Sequence, residues 1–407
     1  MTRAQARPPR APVGVRPCAS LLLGLVLSLI TLSPASAQYI AFGKNKVHYS
    51  DFEWHVLESE HFDLYYYLEE EDLAQLALEM AEDSYRDLQG KFVHEVRRRI
   101  PLIIYNSFQE FEQNNITPYF LPEGVAGLTE FARGRVLVPF NGSLNDFRTT
   151  IHHELVHVYQ LSLLGEVHQE HFRTPFVTPP LWFSEGLAVH WSEDRDPEAD
   201  MVLRDMVHHG NLPDLDQFWR YGGSFVTYKL GQSMLDFIGD EFGEDRINLI
   251  YRRLWMHKEF DEVLTDVLGI PSRELSERWS FALRQRYNPE VAQSTPASFS
   301  SRPLTGKGGA NMKGIPLPDS LFDGKRFAFI SPRDGFTSIY TASREGREED
   351  VRTLVKGERT PELESLHLFR SRFDVSSEGT LLFVSTHEAR DGAAVSDVVT
   401  GREVGRY

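Results

Sequence analysis

The chain has 407 residues, enough for about two or three domains. A hydrophobic content of 41% with 12% aromatic residues favours a packed globular protein over a disordered one. The formal net charge of −16 argues against nonspecific nucleic-acid binding, which needs a basic surface, so no nucleic-acid partner is expected.

Residues 1–37 have the three parts of a secretory signal peptide. Four arginines precede an uncharged apolar run over 19–32, and Ala35-Ser36-Ala37 matches the small-residue cleavage pattern. The run is short for a membrane span, although an uncleaved anchor stays an alternative. The only cysteine, Cys18, precedes this run, so the mature chain has no disulfide. We expect an exported protein, periplasmic or secreted if the source is bacterial, without a stable membrane span after cleavage.

Strand and helix patterns alternate in the first part of the mature chain, and helical patterns dominate afterwards. Alternating, aromatic and short apolar segments predict strands over 52–68, 101–105, 125–131 and 135–140. Ser107 is expected to cap a short helix after the second of these. Apolar residues at helical spacing predict helices over 70–92, 224–242, 247–255, 260–268 and 272–287.

A helix directly after the last of these strands, predicted to begin near Asp146 or Thr149, carries the motif His153-Glu154-Leu155-Val156-His157. Positions four residues apart share one face of an α-helix, so His153 and His157 can reach one metal ion. The acid between them, Glu154, lies beside that ion rather than on it. The alternative is a buried helix with two satisfied histidines.

A third metal ligand is expected from Glu185, which lies 28 positions after His157. It belongs to a predicted helix that begins at Leu181, and the proline-containing loop over 165–180 can bring the two helices together. A catalytic zinc has three protein ligands and one open position, so the sequence predicts Zn²⁺ held by His153, His157 and Glu185. The alternative for Glu185 is a solvated carboxylate stabilised by the helix dipole.

In the last part of the chain, the composition and the predicted secondary structure change. Residues 289–314 are rich in Pro, Ser, Gly and Ala and read as a linker. Short strands are predicted over 326–331 and 337–340, and a similar unit recurs over 377–385. Repeated strands with Asp-Gly or Glu-Gly turns are typical of β-propeller blades, so 315–407 is predicted to be propeller-like. Because a propeller needs at least about four blades, this segment is expected to be incomplete or completed by a partner.

The histidine pair, followed by Glu185-Gly186-Leu187-Ala188, resembles the gluzincin metallopeptidases, and more closely the peptidase-MA-like group of exported proteins. The resemblance extends over about 47–287 and includes the segments 125–129 and 228–233. Past the linker, 322–340 resembles the blades of TolB-like propellers, which accompany this peptidase domain in some relatives. The zinc-ligand motif is the specific part of the resemblance.

The resemblance implies an α+β fold in which 38–288 is a gluzincin-like metallopeptidase domain, with a mixed sheet before the active-site helix and a helical half after it. It further implies Glu154 as the general base and an edge strand that binds an extended peptide by backbone pairing. The segment 135–140 has the expected place in the chain, and Pro139 suits an edge. An ordinary core strand is the alternative.

The oxyanion that forms during peptide hydrolysis needs a hydrogen-bond donor besides the metal. Tyr228 and His190 are the two candidates, and Tyr228 matches the downstream tyrosine segment of the family. The alternative for Tyr228 is a tyrosine packed within a helix. His152 is expected to be structural or to lie outside the first layer of ligands.

The sequence departs from several gluzincins at Val189, where they have an aspartate that orients a zinc histidine. The resemblance therefore requires another partner for that histidine, and Glu193, Asp194 or a backbone carbonyl are the candidates.

The expected function is zinc-dependent hydrolysis of peptide bonds in a peptide or protein substrate. The alternative is a noncatalytic peptide- or envelope-binding module, with an envelope protein as possible partner through the propeller. A third interpretation, a metal-dependent amidase acting on cell-wall material, has the same zinc chemistry and is not separable by sequence.

Overall fold

The computed structural model describes residues 52–67, 71–117, 121, 125–172, 177–193, 197–293, 295, 297–306, 310–322, 324–358, 363, 365, 366, 368, 372–387 and 390–406. The predicted signal peptide lies outside these residues. Within them, no helix is both long and apolar enough to span a lipid bilayer.

Five strands of the described N-terminal part form one mixed sheet. In chain order, the elements are β1 (Trp54–Glu58), β2 (Phe62–Tyr67), α1 (Glu71–Phe92), β3 (Ile100–Tyr105), α2 (Phe108–Glu112), β4 (Leu128–Glu130) and β5 (Arg135–Pro139). The spatial order is β1-β2-β3-β5-β4. Strands β2, β3 and β5 are parallel, whereas β1 and β4 pair antiparallel with their neighbours. The helix between β2 and β3 provides the long crossover that a parallel pair requires.

The prediction that 135–140 is the edge strand is wrong. Strand β5 pairs with β3 through Val136 and Leu102 on one side and with β4 through Val136 and Thr129 on the other. Pro139 does not interrupt this pairing, because Phe140 donates its N–H to the carbonyl of Tyr105 at 2.7 Å. The proline is the last residue of β5, where a missing donor costs little. The edge is the three-residue strand β4, which is shorter than the predicted strand over 125–131.

The next helix, α3 (Leu144–Glu170), carries the motif and begins a few residues earlier than predicted. Ser143 caps it, because its hydroxyl accepts from the N–H of Asp146 at 3.3 Å. One face of the helix is apolar and buried against the sheet and α1, with Phe147, Ile151, Leu155 and Val158 in the core. His153 and His157 therefore lie on the side that faces the helical half.

The helical half follows α3. It comprises α4 (Leu181–Ser192), α5 (Pro197–His209), a 3₁₀ segment (Leu215–Tyr221), α6 (Phe225–Phe242), α7 (Asp245–Arg253), α8 (Phe260–Leu268) and α9 (Ser272–Gln293). Helix α9 passes its predicted end at Tyr287, so the first residues of the predicted linker are helical.

Helices α4 and α6 cross with their backbones in contact. A β-carbon on Gly231 would lie 2.1 Å from the carbonyl oxygen of Trp182. A β-carbon on Gly186 would lie 2.4 Å from the carbonyl carbon of Gly231. Only glycine fits at both positions, and the crossing fixes the distance between the two helices that carry Glu185 and Tyr228.

The chain then changes to β-structure, as predicted. After α10 (Ala297–Ser300) come β6 (Met312–Pro316), α11 (Asp319–Phe322), β7 (Arg326–Ser331), β8 (Ser338–Ser343), β9 (Arg352–Val355), β10 (Phe373–Val375), β11 (Thr380–His387), β12 (Arg390–Asp397) and β13 (Glu403–Arg406). These strands form two antiparallel four-stranded sheets, ordered β6-β7-β8-β9 and β10-β11-β12-β13. The predicted turn glycines Gly335 and Gly379 have φ of 83° and 88°, which favours glycine. The two sheets share one apolar core that includes Ile330 and Phe383, and the described strands are not closed into a propeller.

The described part of the chain is thus mixed α+β, with eleven α-helices and several sheets. The apolar core of residues 62–287 is separate from that of the two C-terminal sheets.

Candidate metal centre

Three side chains from two helices converge on one point. His153 and His157 come from α3 and Glu185 from α4, and their potential ligand atoms all lie within 4.8 Å of one another. The Nε2 atom of His153 is 3.6 Å and that of His157 is 3.2 Å from Oε2 of Glu185. The side chains are between 12% and 17% exposed, so the cluster is largely but not fully shielded from solvent.

These separations fit a single tetrahedral metal ion. Zinc–nitrogen and zinc–oxygen bonds of about 2.0–2.1 Å at tetrahedral angles place neighbouring ligand atoms about 3.3 Å apart. The two nitrogen–oxygen distances lie on either side of that value. Two imidazoles and one carboxylate are also a donor set that suits zinc and leaves a fourth position for water.

Within the cluster, His157 and Glu185 shift each other's pKa. Burial by itself would raise the pKa of Glu185, but hydrogen bonds and charge from His153 and His157 outweigh it and hold that pKa well below its usual range. Burial would lower the pKa of His157, whereas Glu185, Glu154 and Gln160 together raise it. In the metal-free geometry His157 and Glu185 therefore form an ion pair, and a bound metal ion would displace the proton from the imidazole.

Gln160 orients one of the histidines. Its Oε1 is 3.0 Å from Nδ1 of His157, and its Nε2 donates to the carbonyl of Ser184 at 2.9 Å. An amide oxygen at Nδ1 selects the tautomer with the proton there, which leaves Nε2 free of hydrogen for a metal. Because Ser184 precedes Glu185, the same amide links the two helices that hold the ligands. The sequence analysis missed Gln160, although its place three residues after His157 on one helix was a usable signal.

Of the two carboxylates considered for this orienting role, only Glu193 is among the described residues. The Oε2 atom of Glu193 is 3.4 Å from Nζ of Lys229 on α6, so it takes part in an ion pair. Asp194 lies outside the described residues.

Glu154 is buried beside the candidate ligands, and residues at the edge strand β4 hold its carboxylate in place. The hydroxyl of Thr129 lies 2.6 Å from Oε2 of Glu154 and 2.9 Å from its backbone carbonyl oxygen. A β-carbon on Gly127 would lie 2.8 Å from Oε1, so a side chain there would displace the carboxylate. Sequence reasoning missed both residues, because only the order of strands in the sheet places them over α3.

Tyr228 reaches the cluster from α6. Its ring is nearly parallel to that of His153, with centroids 6.3 Å apart and 25° between the planes. Burial, the charges of Glu185 and Glu154, and a hydrogen bond to Glu185 raise the pKa of the Tyr228 phenol. The hydroxyl therefore remains protonated, and in this geometry it donates to Glu185.

His190, the other candidate oxyanion donor, is engaged elsewhere. Its Nδ1 is 2.6 Å from Oδ1 of Asp236 and its Nε2 is 3.0 Å from Oε1 of Glu244. Burial would lower the pKa of His190, but these two carboxylates raise it. Both ring nitrogens contact acids, one on α6 and one in the turn between α6 and α7, so the structure does not support His190 as the donor.

His152 faces away from the cluster toward α1, where its Nε2 is 3.5 Å from Oδ2 of Asp87. Burial, together with the positive charge of Lys91, lowers the pKa of His152 to about 4. The imidazole is therefore neutral near pH 7 and belongs to the contact between α1 and α3, which agrees with the structural role expected for it.

Replacing Gln160 with methionine should weaken zinc binding about 10- to 100-fold, because an orienting partner contributes about that much to metal affinity. Methionine has a similar length but neither donates to Ser184 nor accepts from His157. Competition with a chromogenic chelator measures the change. The matched control is His152→Gln, which alters a neighbouring histidine outside the cluster and should leave zinc affinity unchanged. Equal affinities in the wild type and Gln160→Met would show that the amide does not support the site.

Comparison with models of known protein families gives no match to this chain, and no curated protein matches its sequence significantly.

Proposed function

We propose that this protein is an exported zinc-dependent metallopeptidase that hydrolyses peptide bonds. The observation that carries the proposal is the convergence of His153, His157 and Glu185 within 4.8 Å, with the carboxylate of Glu154 held beside them. Two histidines and a glutamate leave a coordination position open, as catalytic rather than structural zinc sites do.

Zinc bound by these three residues would supply a Lewis acid that activates water and polarises the carbonyl of the scissile bond. Glu154 then has the part of general base. Its carboxylate takes a proton from the attacking water and returns it to the nitrogen of the leaving amine. Because Glu154 follows His153 directly on the helix, it lies close to the ligands but is not itself a ligand.

Tyr228 acts as a hydrogen-bond donor to the carbonyl oxygen of the scissile bond, on which negative charge develops. Its hydroxyl lies next to the ligand Glu185, and its raised pKa keeps the proton on the oxygen. A donor aimed at developing charge in a partly buried site contributes more than the same donor in water.

The substrate is proposed to bind as an extended peptide along the free side of β4. This strand is the edge of the described sheet nearest the ligands, and it contacts Glu154 through Thr129. Backbone pairing at a sheet edge holds a peptide independently of its side chains and presents one of its carbonyls to the site.

The test is metal content together with cleavage of an unbiased peptide mixture. We expect about one zinc per chain, and we expect cleavage products by mass spectrometry that disappear when zinc is removed and return when it is added. Peptide binding without any hydrolysis would favour the noncatalytic module instead. Zinc-dependent cleavage of cell-wall amides, with peptides left intact, would favour the amidase.

A further inference from the structure

Thr129 is the one residue of β4 whose side chain is buried. Successive side chains of a strand point to opposite faces, and here Leu128 and Glu130 are half-buried, whereas Thr129 is 5% exposed. Its hydroxyl points to α3, where it meets Glu154.

The contact with Glu154 is short and polar. The distance of 2.6 Å between Oγ1 of Thr129 and Oε2 of Glu154 is that of a hydrogen bond donated to a charged oxygen. A hydroxyl carries a single hydrogen, and the carboxylate is the stronger of the two nearby acceptors. The hydroxyl of Thr129 therefore donates to Oε2 of Glu154. Gly127 lies against the other oxygen, where a β-carbon would come within 2.8 Å. The segment from Gly127 to Thr129 thus restricts both oxygens of the carboxylate.

The backbone of Thr129 points the other way, to the outside of the sheet. The hairpin between β4 and β5 is closed by a hydrogen bond from the N–H of Gly134 to the carbonyl of Glu130, at 2.8 Å. Glu130 therefore faces β5, and in an antiparallel pair alternate residues face the partner strand. The N–H and C=O of Thr129 are then directed toward the side on which no described strand lies.

We infer that Thr129 is a positioning residue that links substrate binding to the general base. Its main chain pairs with the backbone of an extended peptide, and its side chain holds the carboxylate of Glu154 in the orientation for proton transfer. The substrate class that follows is a peptide with a free, extended backbone, because a small nonpeptide amide has no strand to pair there. This inference rests on the proposed function.

The test compares Thr129→Val with Thr129→Ser on one peptide that the wild type cleaves. Valine has the shape of threonine without the hydroxyl, whereas serine keeps the hydroxyl. We expect Thr129→Val to lower kcat about 10- to 100-fold with KM and zinc content nearly unchanged, since the backbone pairing and the ligands remain. Thr129→Ser should recover most of that loss. A kcat for Thr129→Val within about twofold of the wild-type value would overturn the inference.

A second readout does not need activity or metal. The infrared difference spectrum between each protein and its own Glu154→Gln counterpart isolates the carboxylate stretch of Glu154 in the metal-free state. We expect this band to move in Thr129→Val and to stay in place in Thr129→Ser. An unmoved band in Thr129→Val overturns the inference. If the wild type cleaves no peptide, the proposed function fails, and with it the catalytic part of the inference, whereas the band still decides whether Thr129 holds Glu154.

Discussion

Replacing Glu154 with glutamine should reduce peptide hydrolysis about a thousandfold, while zinc stays bound at the wild-type stoichiometry. General acid–base catalysis contributes about 10²- to 10⁴-fold, and an amide of the same shape cannot accept the proton of the attacking water. Zinc is expected to remain because the ligands are His153, His157 and Glu185. Steady-state cleavage of one peptide and metal analysis of the same preparations measure the two quantities.

The matched control is Glu170→Gln, the same substitution at the last residue of the same helix. Glu170 is 61% exposed and far along α3 from the ligands, so hydrolysis should not change. Undiminished hydrolysis by Glu154→Gln would contradict the role of Glu154 and the proposed mechanism. Loss of zinc together with activity would instead show that Glu154 maintains the metal site.

Gly231→Ala should lower the free energy of unfolding by about 3 kcal/mol, at the upper end of the cost of overpacking a core. In an exposed helix the same change would stabilise by up to about 1 kcal/mol, because alanine has the higher helix propensity. At Gly231 the new carbon would meet the backbone oxygen of Trp182 at 2.1 Å, and backbone cannot rotate away as a side chain can. Urea unfolding of the metal-free protein measures the loss.

Gly165→Ala is the control for this second prediction. It lies inside α3, and a β-carbon there would meet nothing within 4 Å. We expect it to be neutral or slightly stabilising, so the difference between the two variants isolates the steric effect from helix propensity. Equal stabilities would mean that α4 and α6 can separate without cost.

The grouping of His153, His157 and Glu185 could be predicted from the sequence because the geometry of the two histidines is local. Four residues of helix place His153 and His157 on one face whatever the rest of the fold does. Glu185 required the motif around it, since nothing local shows that α4 lies against α3. The environment of the ligands was not predictable in the same way. Gln160 was within reach of a local argument, whereas Thr129 depends on which strand lies at the edge.

The error about the edge strand has a physical origin. Proline at 139 suits an edge strand, but a proline at the end of a strand leaves the ladder intact because the next N–H makes the bond. A hairpin partner can then add on the other side, as β4 does. Strand order is decided by long-range pairing, which leaves no periodic trace in either strand.

Three of the eight described C-terminal strands, β7, β8 and β11, were predicted together with their turns. The Asp-Gly and Glu-Gly turns lie where the chain reverses, and β7 has the predicted bounds Arg326–Ser331. Their relation to a propeller remains a prediction, because alternation and turn residues specify a meander without specifying how many meanders pack around an axis.

The glycine crossing makes the two sides of the candidate site unequal in how tightly they are packed. On the helical side, Glu185 and Tyr228 are carried by α4 and α6, whose backbones touch at Gly186 and Gly231 and leave no room for adjustment. On the other side lies a strand of three residues joined to the sheet by one neighbour. If the proposed function holds, we expect substitutions on β4 outside Thr129 to alter substrate selectivity with less loss of stability than substitutions at the crossing of α4 and α6.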